Sequence, residues 1–234
     1  IGSFFFLISG FLFFISGFFF LIGSFFFFIR LFFNSSLLEN IAGIYVAFNM
    51  GRSVVVGNVS TFGLVSNNEF KVDRFAHAVQ SYQIESVILL PQMLKAMVEY
   101  IHQFGATVFK SLKFIAVGGG KVSSDLLMQS EQLHLPVYEG YGLSECASVV
   151  SLNLPNARKI GSVGKPLPHV KVKISDQGEV VVRGNAMQGY LNDASIDPLI
   201  HTGDAGFFDD EGFLFITGRI KQIIVSSFGR NISP

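Results

Sequence analysis

The sequence predicts an α/β fold in which part of a doubly wound sheet is followed by a small β-rich subdomain. Strand patterns alternate with helix patterns over residues 35–155, and such alternation implies a largely parallel sheet with helices on its faces. Over residues 156–217 the pattern changes to short strands joined by turn residues, which is typical of hairpins. Residues 1–34 form a separate, phenylalanine-rich segment, and residues 218–234 follow the last hairpin.

The first thirty-three residues contain 15 of the 27 phenylalanines and one charge, at Arg30. Three interpretations are open: a membrane-spanning or membrane-lying anchor, an unusual buried segment, or a translated simple repeat that is not native to the domain behind it. The segment is long enough to span a bilayer, which takes about 20 apolar residues. We favour the simple repeat, because natural spanning helices favour Leu, Ile, Val and Ala and place aromatic residues at the membrane interfaces.

The α/β part begins with an amphipathic helix and a β-branched strand, and this unit is then repeated. Helices show apolar residues at helical spacing, whereas strands are short apolar runs. Pro91 is predicted to close a strand, and Ser123 or Ser124 to open a helix. The predicted elements are, in order, helix SLLENIAGIYVAFNMG, strand SVVVG, helix FKVDRFAHAVQSYQ, strand SVILLP, helix QMLKAMVEYIHQF, strand KFIAVGGG, helix SSDLLMQSEQLH and strand PVYEGYG.

The β-rich part contains two predicted hairpins, KVKISDQGEVVVRG and GFFDDEGFLFITG. Each has Asp, Gln or Gly at its turn, and these residues favour tight connections. The sequence then stops at GRNISP without a helical cap, so we expect a chain that is cut rather than finished.

Charge and cysteine content exclude several classes of protein. Lysine plus arginine equals aspartate plus glutamate at 17 each, so no field of one sign is available to gather nucleic acid. Cys146 is the single cysteine, which excludes an internal disulfide, and no cysteine–histidine spacing indicates zinc. We therefore expect no nucleic-acid partner and a reducing, cytoplasmic location, with membrane association only if residues 1–33 are a genuine anchor.

Four short segments carry residues suited to binding phosphate or ribose, and each also has a structural interpretation. The glycines at 118–120 allow close backbone approach to a ligand, or serve a strand-to-helix turn. Ser144 and Glu145 suit phosphate and Mg²⁺, although a five-residue match can arise by chance. Asp204 is placed either to hold ribose hydroxyls or to cap a turn. Arg219 either holds ribose or phosphate, or is a solvated charge at a strand end.

Taken in order, six segments resemble the later core motifs of the acyl-adenylate-forming enzymes. That family includes acyl-CoA synthetases, firefly luciferase and the adenylation domains of peptide synthetases. The resemblance covers roughly residues 35–234 and implies the fold of the family's large domain. The segments are GGGKVSSD, YEGYGLSE, KIGSVGKPLPHVKVKI, GEVVVRGNAMQGYL, HTGDAGFFDDEGFLFITGRIKQII and GRNISP.

The resemblance implies a role for individual residues. A glycine-rich loop would line the adenine site, and the YEGYGLSE segment would continue around the nucleotide, with Tyr141 flanking the adenine. Ser144 would contact phosphate and Glu145 would bind Mg²⁺, which requires oxygen ligands. Residues matched to nucleotide binding are Gly119, Gly120, Lys121, Glu139, Gly140, Tyr141, Gly142, Leu143, Asp204 and Arg219. Asp204 and Arg219 match the residues that hold the ribose hydroxyls.

The resemblance also implies a reaction in two steps, in which ATP and a carboxylic acid form acyl-AMP and coenzyme A then takes the acyl group. We expect an AMP-forming acid:CoA ligase that uses Mg²⁺, with a fatty acid as the preferred substrate. The family's mobile C-terminal domain rotates about a hinge that corresponds to Gln222 in residues 218–234. Among the five histidines, only His201 is expected near the site, and Cys146 is expected to pack rather than react.

Two parts of the family's machinery have no counterpart in the sequence, namely the phosphate loop before residue 35 and the C-terminal domain with its adenylation lysine after residue 234. We therefore expect this chain to adenylate poorly or not at all, since each lost contact to developing charge costs a factor of about 100 to 1,000. Two alternatives stay open: an acyl-AMP ligase that loads a carrier protein, and an inactive, membrane-anchored nucleotide-binding fragment.

Overall fold

A computed structural model describes residues 27–29, 43–66, 69–187, 189, 199–220, 224–225 and 231–232 of the chain. The rest of the Phe-rich segment and Gln222 of the predicted hinge lie outside these described residues. The chain divides into two compact units, Ile1–Tyr138 and Glu139–Pro234. The domain boundaries predicted at residues 34, 155 and 217 stay predictions.

The first unit alternates strands and helices over most of its described length. Short 3₁₀ turns at Val59–Phe62 and Thr107–Phe109 interrupt the connections. Its elements are β1 (Phe27–Ile29), α1 (Val46–Asn49), β2 (Ser53–Val55), β3 (Leu64–Ser66), β4 (Glu69–Phe70), α2 (Val72–Tyr82), β5 (Ser86–Leu89), α3 (Pro91–Phe104), β6 (Phe114–Val117), α4 (Ser124–Gln132) and the start of β7 (Val137–Tyr141).

The main sheet of the first unit has the strand order β2-β1-β5-β6-β7. β1 is parallel to both of its neighbours, with Phe28 opposite Val54 on one side and Ser86 on the other. β5 and β6 are also parallel, and the helix between them makes this a β-α-β crossover. The Phe-rich segment thus supplies a strand of the sheet, which its composition did not predict.

Helices α2 and α3 form because their apolar residues recur on one face. α2 buries Phe75 and Val79 four positions apart, and α3 buries Met93, Met97 and Ile101 at the same interval. Full burial of one such side chain contributes about 1.5–3 kcal/mol, so this face holds each helix in the unit. No helix among the described residues is long and apolar enough to cross a membrane.

Capping residues explain where two helices begin. Pro91 stands at the first position of α3 instead of merely closing β5, because its fixed φ suits a helix start and its missing N–H costs nothing there. Ser123, rather than Ser124, caps α4, and its side chain accepts a hydrogen bond from the Leu126 N–H at 3.3 Å. α1 covers only the end of the first predicted helix, since residues 35–42 lie outside the described residues.

The second unit is built from antiparallel strands. The end of β7 pairs with β8, and β8 pairs with β9. A separate four-stranded sheet has the order β10-β11-β12-β13, as the two hairpin segments predicted. The strands are β8 (Ser151–Leu152), β9 (Lys165–Pro166), β10 (Lys171–Ile174), β11 (Glu179–Arg183), β12 (Leu199–Phe208), β13 (Leu214–Arg219), β14 (Ile224–Val225) and β15 (Asn231–Ile232).

Candidate active site

Two segments of the second unit carry most of the predicted site residues. One is the end of β7 with the loop that follows it, residues 139–149, and the other is the middle of β12 with the end of β13. Both are described within one unit, so their side-chain contacts define a local site. Its centre is Asp204.

The carboxylate of Asp204 is bound on both oxygens. The Tyr141 hydroxyl donates to Oδ2 at 2.5 Å, and Arg219 Nε lies 2.8 Å from Oδ1. Asp204 lies on β12, and a carboxylate on a sheet with one solvent-facing side usually points into water. Asp204 is nevertheless only 8% exposed. An aromatic ring, a carboxylate and a guanidinium that are 63 and 15 positions apart in sequence therefore meet at one point.

The Tyr141 phenol is held as a hydrogen-bond donor. Burial is the main reason that its pKa is raised well above the usual range, and the hydrogen bond to Asp204 adds to the effect. An unperturbed tyrosine already titrates near pH 10, so this hydroxyl keeps its proton at neutral pH. It can therefore donate to the Asp204 carboxylate without competition from its own ionisation.

The β7–β8 loop folds back tightly after Tyr141. The Val150 N–H returns to the Tyr141 carbonyl at 2.9 Å, and the N–H groups of Cys146 and Ser148 both donate to the Leu143 carbonyl at 3.1 Å. Ala147 and Ser148 adopt left-handed backbone angles, with φ of 53° and 93°. Such angles cost free energy in residues other than glycine and are concentrated at functional sites.

Gly142 is the position where this fold-back has no room for a side chain. A Cβ at Gly142 would lie 1.5 Å from the Ser148 carbonyl oxygen. Gly140 is also restricted, since its Cβ would lie 2.8 Å from a Leu152 methyl group on the paired strand. Close backbone approach therefore requires the glycine at 142, whereas a side chain at 140 would first have to displace the Leu152 methyl group.

Ser144 and Glu145 begin the short 3₁₀ turn Ser144–Cys146 within this loop. Ser144 is exposed, and the Glu145 carbonyl accepts from the Met187 N–H at 2.7 Å, which ties the loop to the segment after β11. No group of three or more His, Cys, Asp or Glu in the described part of the chain is placed to hold a metal ion. A carboxylate such as Glu145 still fits Mg²⁺, which usually takes one or two carboxylates and completes its shell with water and phosphate.

Glu139 lies on β7 next to the site residues, and its backbone carbonyl binds a buried asparagine. Its carbonyl accepts from the Asn153 backbone N–H and from the Asn153 side chain, both at 3.0 Å. Asn153 also donates to the Ser162 carbonyl at 2.7 Å and accepts from the Lys159 N–H at 2.9 Å. The role of this buried asparagine was not predicted, because its place between a strand and a proline carries no signal of it in the sequence.

Gly119, Gly120 and Lys121 lie in the first unit, directly after β6. Gly119 has a left-handed φ of 75°, and a Cβ there would lie 3.0 Å from a Leu90 methyl group. The backbone therefore supports the strand-to-helix turn that was one interpretation of the glycine run. The part of these three residues in a common nucleotide site stays a prediction.

Comparison with known proteins identifies the family. The family described as AMP-binding enzyme matches residues 43–191. The chain belongs to this family of AMP-binding enzymes. The recognition made from the six motifs is thereby confirmed.

Curated relatives of the AMP-binding chain are acyl-CoA ligases. It is 31% identical over 215 residues to the 2-succinylbenzoate–CoA ligase of Bacillus pumilus, and the matched region covers 84% of this chain and 42% of the relative. It is 46% identical over 107 residues to the long-chain-fatty-acid–CoA ligase FadD15 of Mycobacterium bovis, and this matched region covers 43% of this chain and 18% of the relative. The chain thus spans less than half the length of the relatives it matches.

Solved structures confirm the fold class. o-Succinylbenzoate CoA synthetase (MenE) from Bacillus subtilis, in complex with an acyl-adenylate intermediate, superposes with a TM-score of 0.77 at 25% identity. The match covers 94% of this chain and 46% of that one. The same enzyme in complex with ATP and magnesium gives a TM-score of 0.76 at 24% identity, over 94% of this chain and 47% of that one. Part of an α/β sheet followed by a β-rich part is the fold that the sequence predicted.

Proposed function

We propose that this chain carries the nucleotide-binding part of an AMP-forming acid:CoA ligase. The observation that carries the proposal is the Asp204 carboxylate, which is nearly buried and bound by Tyr141 and Arg219. A carboxylate has two oxygens and about four acceptor sites, so it can receive both hydroxyls of a ribose as well as its protein donors. The adjacent Tyr141 ring offers an apolar surface for a base.

The proposed reaction begins with the attack of a substrate carboxylate on the α-phosphorus of ATP. The bond to pyrophosphate breaks, and a mixed anhydride of the acid and AMP forms. The thiol of coenzyme A then attacks the activated carbonyl and releases AMP. In this scheme Asp204 and Arg219 hold the ribose, Ser144 contacts phosphate, and Glu145 binds Mg²⁺, which would neutralise charge on the departing pyrophosphate.

The acid substrate follows from the relatives only in outline. A fatty acid is favoured by the 46% identity to a long-chain-fatty-acid–CoA ligase, which is the higher identity but covers 107 residues. The 2-succinylbenzoate ligases match over 215 residues at 31% identity, and this longer match favours an aromatic dicarboxylate as a second candidate. Both candidates are carboxylic acids, so the first step of the proposed reaction is the same for each.

The test is nucleotide binding by the 234-residue chain. Calorimetry with AMP, and with ATP and Mg²⁺, would compare the wild-type chain with Asp204→Ala. Asp210→Ala is the matched control, because Asp210 is an exposed aspartate on the turn after β12. We expect binding by the wild type and the control, and a loss of at least about tenfold for Asp204→Ala, since a hydrogen bond to a charged group is worth about 1.5–3 kcal/mol. Equal binding by all three would refute the proposed ribose site.

A further inference from the structure

Residues 202–204, the last three of the segment HTGD at positions 201–204, lie in a bulge of β12. Glu179 on β11 pairs with Ala205, and Val181 pairs with His201. Between these two pairs β11 has one residue, Val180, whereas β12 has three, 202–204. The β11–β12 pairing is interrupted at these residues, and a bulge of this kind re-aims the side chains that it carries.

One side chain of the neighbouring strand binds this bulge at two points. Glu179 Oε1 accepts from the Gly203 N–H at 2.8 Å, and Glu179 Oε2 lies 2.9 Å from His201 Nδ1. Gly203 has a left-handed φ of 71°, so its N–H points away from the ladder and needs an acceptor elsewhere. The Glu179 side chain is 16% exposed, which strengthens a charge-assisted hydrogen bond relative to one in open water.

The bulge also carries an internal hydrogen-bonded link that ends at Asp204. The Thr202 hydroxyl donates to the Val180 carbonyl at 2.7 Å and accepts from the Asp204 N–H at 3.1 Å. The conformation of residues 202–204 is therefore set from β11 by two anchors, the Glu179 carboxylate and the Val180 carbonyl. The side chain of Asp204 extends from this bulge to Tyr141 and Arg219.

We propose that Glu179 is a positioning residue for nucleotide binding, which fixes the bulge so that the Asp204 carboxylate is presented to the ribose hydroxyls. The inference rests on the proposed function and adds a residue to which the motif comparison gave no role. Glu179 acts through the Gly203 N–H and touches no ligand itself. Of the two Glu179 contacts, the one with the Gly203 N–H lies within the bulge, and it needs an acceptor oxygen at this reach, which a neutral amide oxygen can also supply.

Three substitutions separate reach from charge. Glu179→Gln keeps an oxygen at the same distance but removes the charge. Glu179→Asp keeps the charge but withdraws the oxygen from Gly203, and Glu179→Ala removes the acceptor. Glu211→Ala is the control, because Glu211 is an exposed glutamate of the same unit. Its salt-bridge partner is Lys159, which is distant in sequence from residues 202–204. Each variant of the full chain would be titrated with AMP and with 2′,3′-dideoxy-AMP.

We expect the wild type to prefer AMP over the dideoxy nucleotide. Glu179→Asp and Glu179→Ala should weaken AMP binding about tenfold or more, because small displacements of a binding group are costly, while dideoxy-AMP binding changes less than about twofold. Glu179→Gln and Glu211→Ala should keep most of the preference for AMP. Rescue by glutamine is the readout that a purely electrostatic role would not give.

Several results would overturn the inference. An unchanged preference for AMP in Glu179→Asp would show that the bulge positions Asp204 without this contact. Equal weakening of both nucleotides would indicate general damage to the unit, and loss of the preference in Glu179→Gln would make charge the determinant. If the wild-type chain binds AMP without preference over the dideoxy form, the ribose site fails and the proposed function fails with it. The variants therefore distinguish the failure of Glu179 alone from the failure of the whole site.

Discussion

Asp204 and Arg219 are directly opposite each other in the β12–β13 ladder, and their side chains meet with Nε 2.8 Å from Oδ1. The two members of the pair differ in environment, since the Asp204 side chain is 11% exposed and the Arg219 side chain 59%. Arg219 Nη1 also lies 3.5 Å from the Thr202 carbonyl in the bulge. The guanidinium therefore borders the carboxylate from the solvent side, where a ligand would approach.

Replacement of Arg219 by alanine should weaken both AMP binding and stability. The Asp204 side chain is only 11% exposed, so loss of its Arg219 partner should lower the free energy of unfolding in urea by about 1–3 kcal/mol. AMP affinity should fall about tenfold, because a charge-assisted hydrogen bond at the proposed ribose site is lost. Arg183→Ala on β11 is the matched control, since Arg183 is an exposed arginine at a strand end. Equal AMP affinity in the two variants would contradict the role of Arg219.

The order of strands and helices could be predicted because it depends on the local spacing of apolar residues. The apolar spacing of α2 and α3 and the short apolar runs of β5 and β6 belong to continuous stretches of sequence, so each could be recognised alone. The strand in the Phe-rich segment could not, because that segment repeats one Phe-rich unit with Ser and Gly between the repeats, so no stretch of it differs in pattern from the next. Only its pairing with β2 and β5 distinguishes residues 27–29.

The site could be predicted as a set of residues but not as a geometry. Asp204 was expected in a turn or a ribose site, and the structure places it in a strand bulge whose Gly203 N–H donates to Glu179 on another strand. Nothing near Glu179 in sequence signals that contact. The left-handed angles of Ala147 and Ser148 were equally hidden, since neither residue type favours them. Such features arise from tertiary contacts that override local preference.

Tyr141→Phe should destabilise the second unit. The change removes the donor to Asp204 Oδ2 and leaves a nearly buried carboxylate with one partner fewer. A hydrogen bond to a charged group contributes about 1.5–3 kcal/mol, and we expect the free energy of unfolding to fall by that amount in urea titrations. Tyr45→Phe, at a tyrosine that is 44% exposed, is the control and should change stability by less than about 0.5 kcal/mol. A similar loss in both variants would argue against the buried hydrogen bond.

Gly142→Ala should be among the most damaging single substitutions in the described part of the chain. The added Cβ would lie 1.5 Å from the Ser148 carbonyl oxygen, so the β7–β8 loop would have to open. Overpacking against backbone costs about 1–3 kcal/mol or more, and the loss should appear as a lower midpoint in urea. Gly43→Ala is the control, because no atom of the described residues beyond its own neighbours in the chain lies within 4 Å of the added Cβ. An unchanged midpoint for Gly142→Ala would mean that the loop does not fold back as described.

Cys146 should be unreactive in the native chain at neutral pH. Burial is the first cause that raises the pKa of its thiol to about 11, and the nearby Glu145 charge is the second. The thiolate is the reactive form, so alkylation by iodoacetamide should be slow at pH 7.5 and should accelerate about tenfold per pH unit toward pH 11. The single cysteine makes incorporation of one label by mass spectrometry a complete readout.

The raised pKa of Cys146 also predicts how stability depends on pH. Between pH 9.0, the usual value, and about 11 the native thiol keeps a proton that the unfolded chain has lost. The native state then binds more protons than the unfolded state, so the contribution of this group to stability falls as pH rises through that window. Cys146→Ser should therefore make the fall of stability with rising pH less steep in that window. Rapid labelling of the native chain at pH 7.5, at the rate seen in urea, would contradict both expectations, since it requires an exposed thiol with an ordinary pKa.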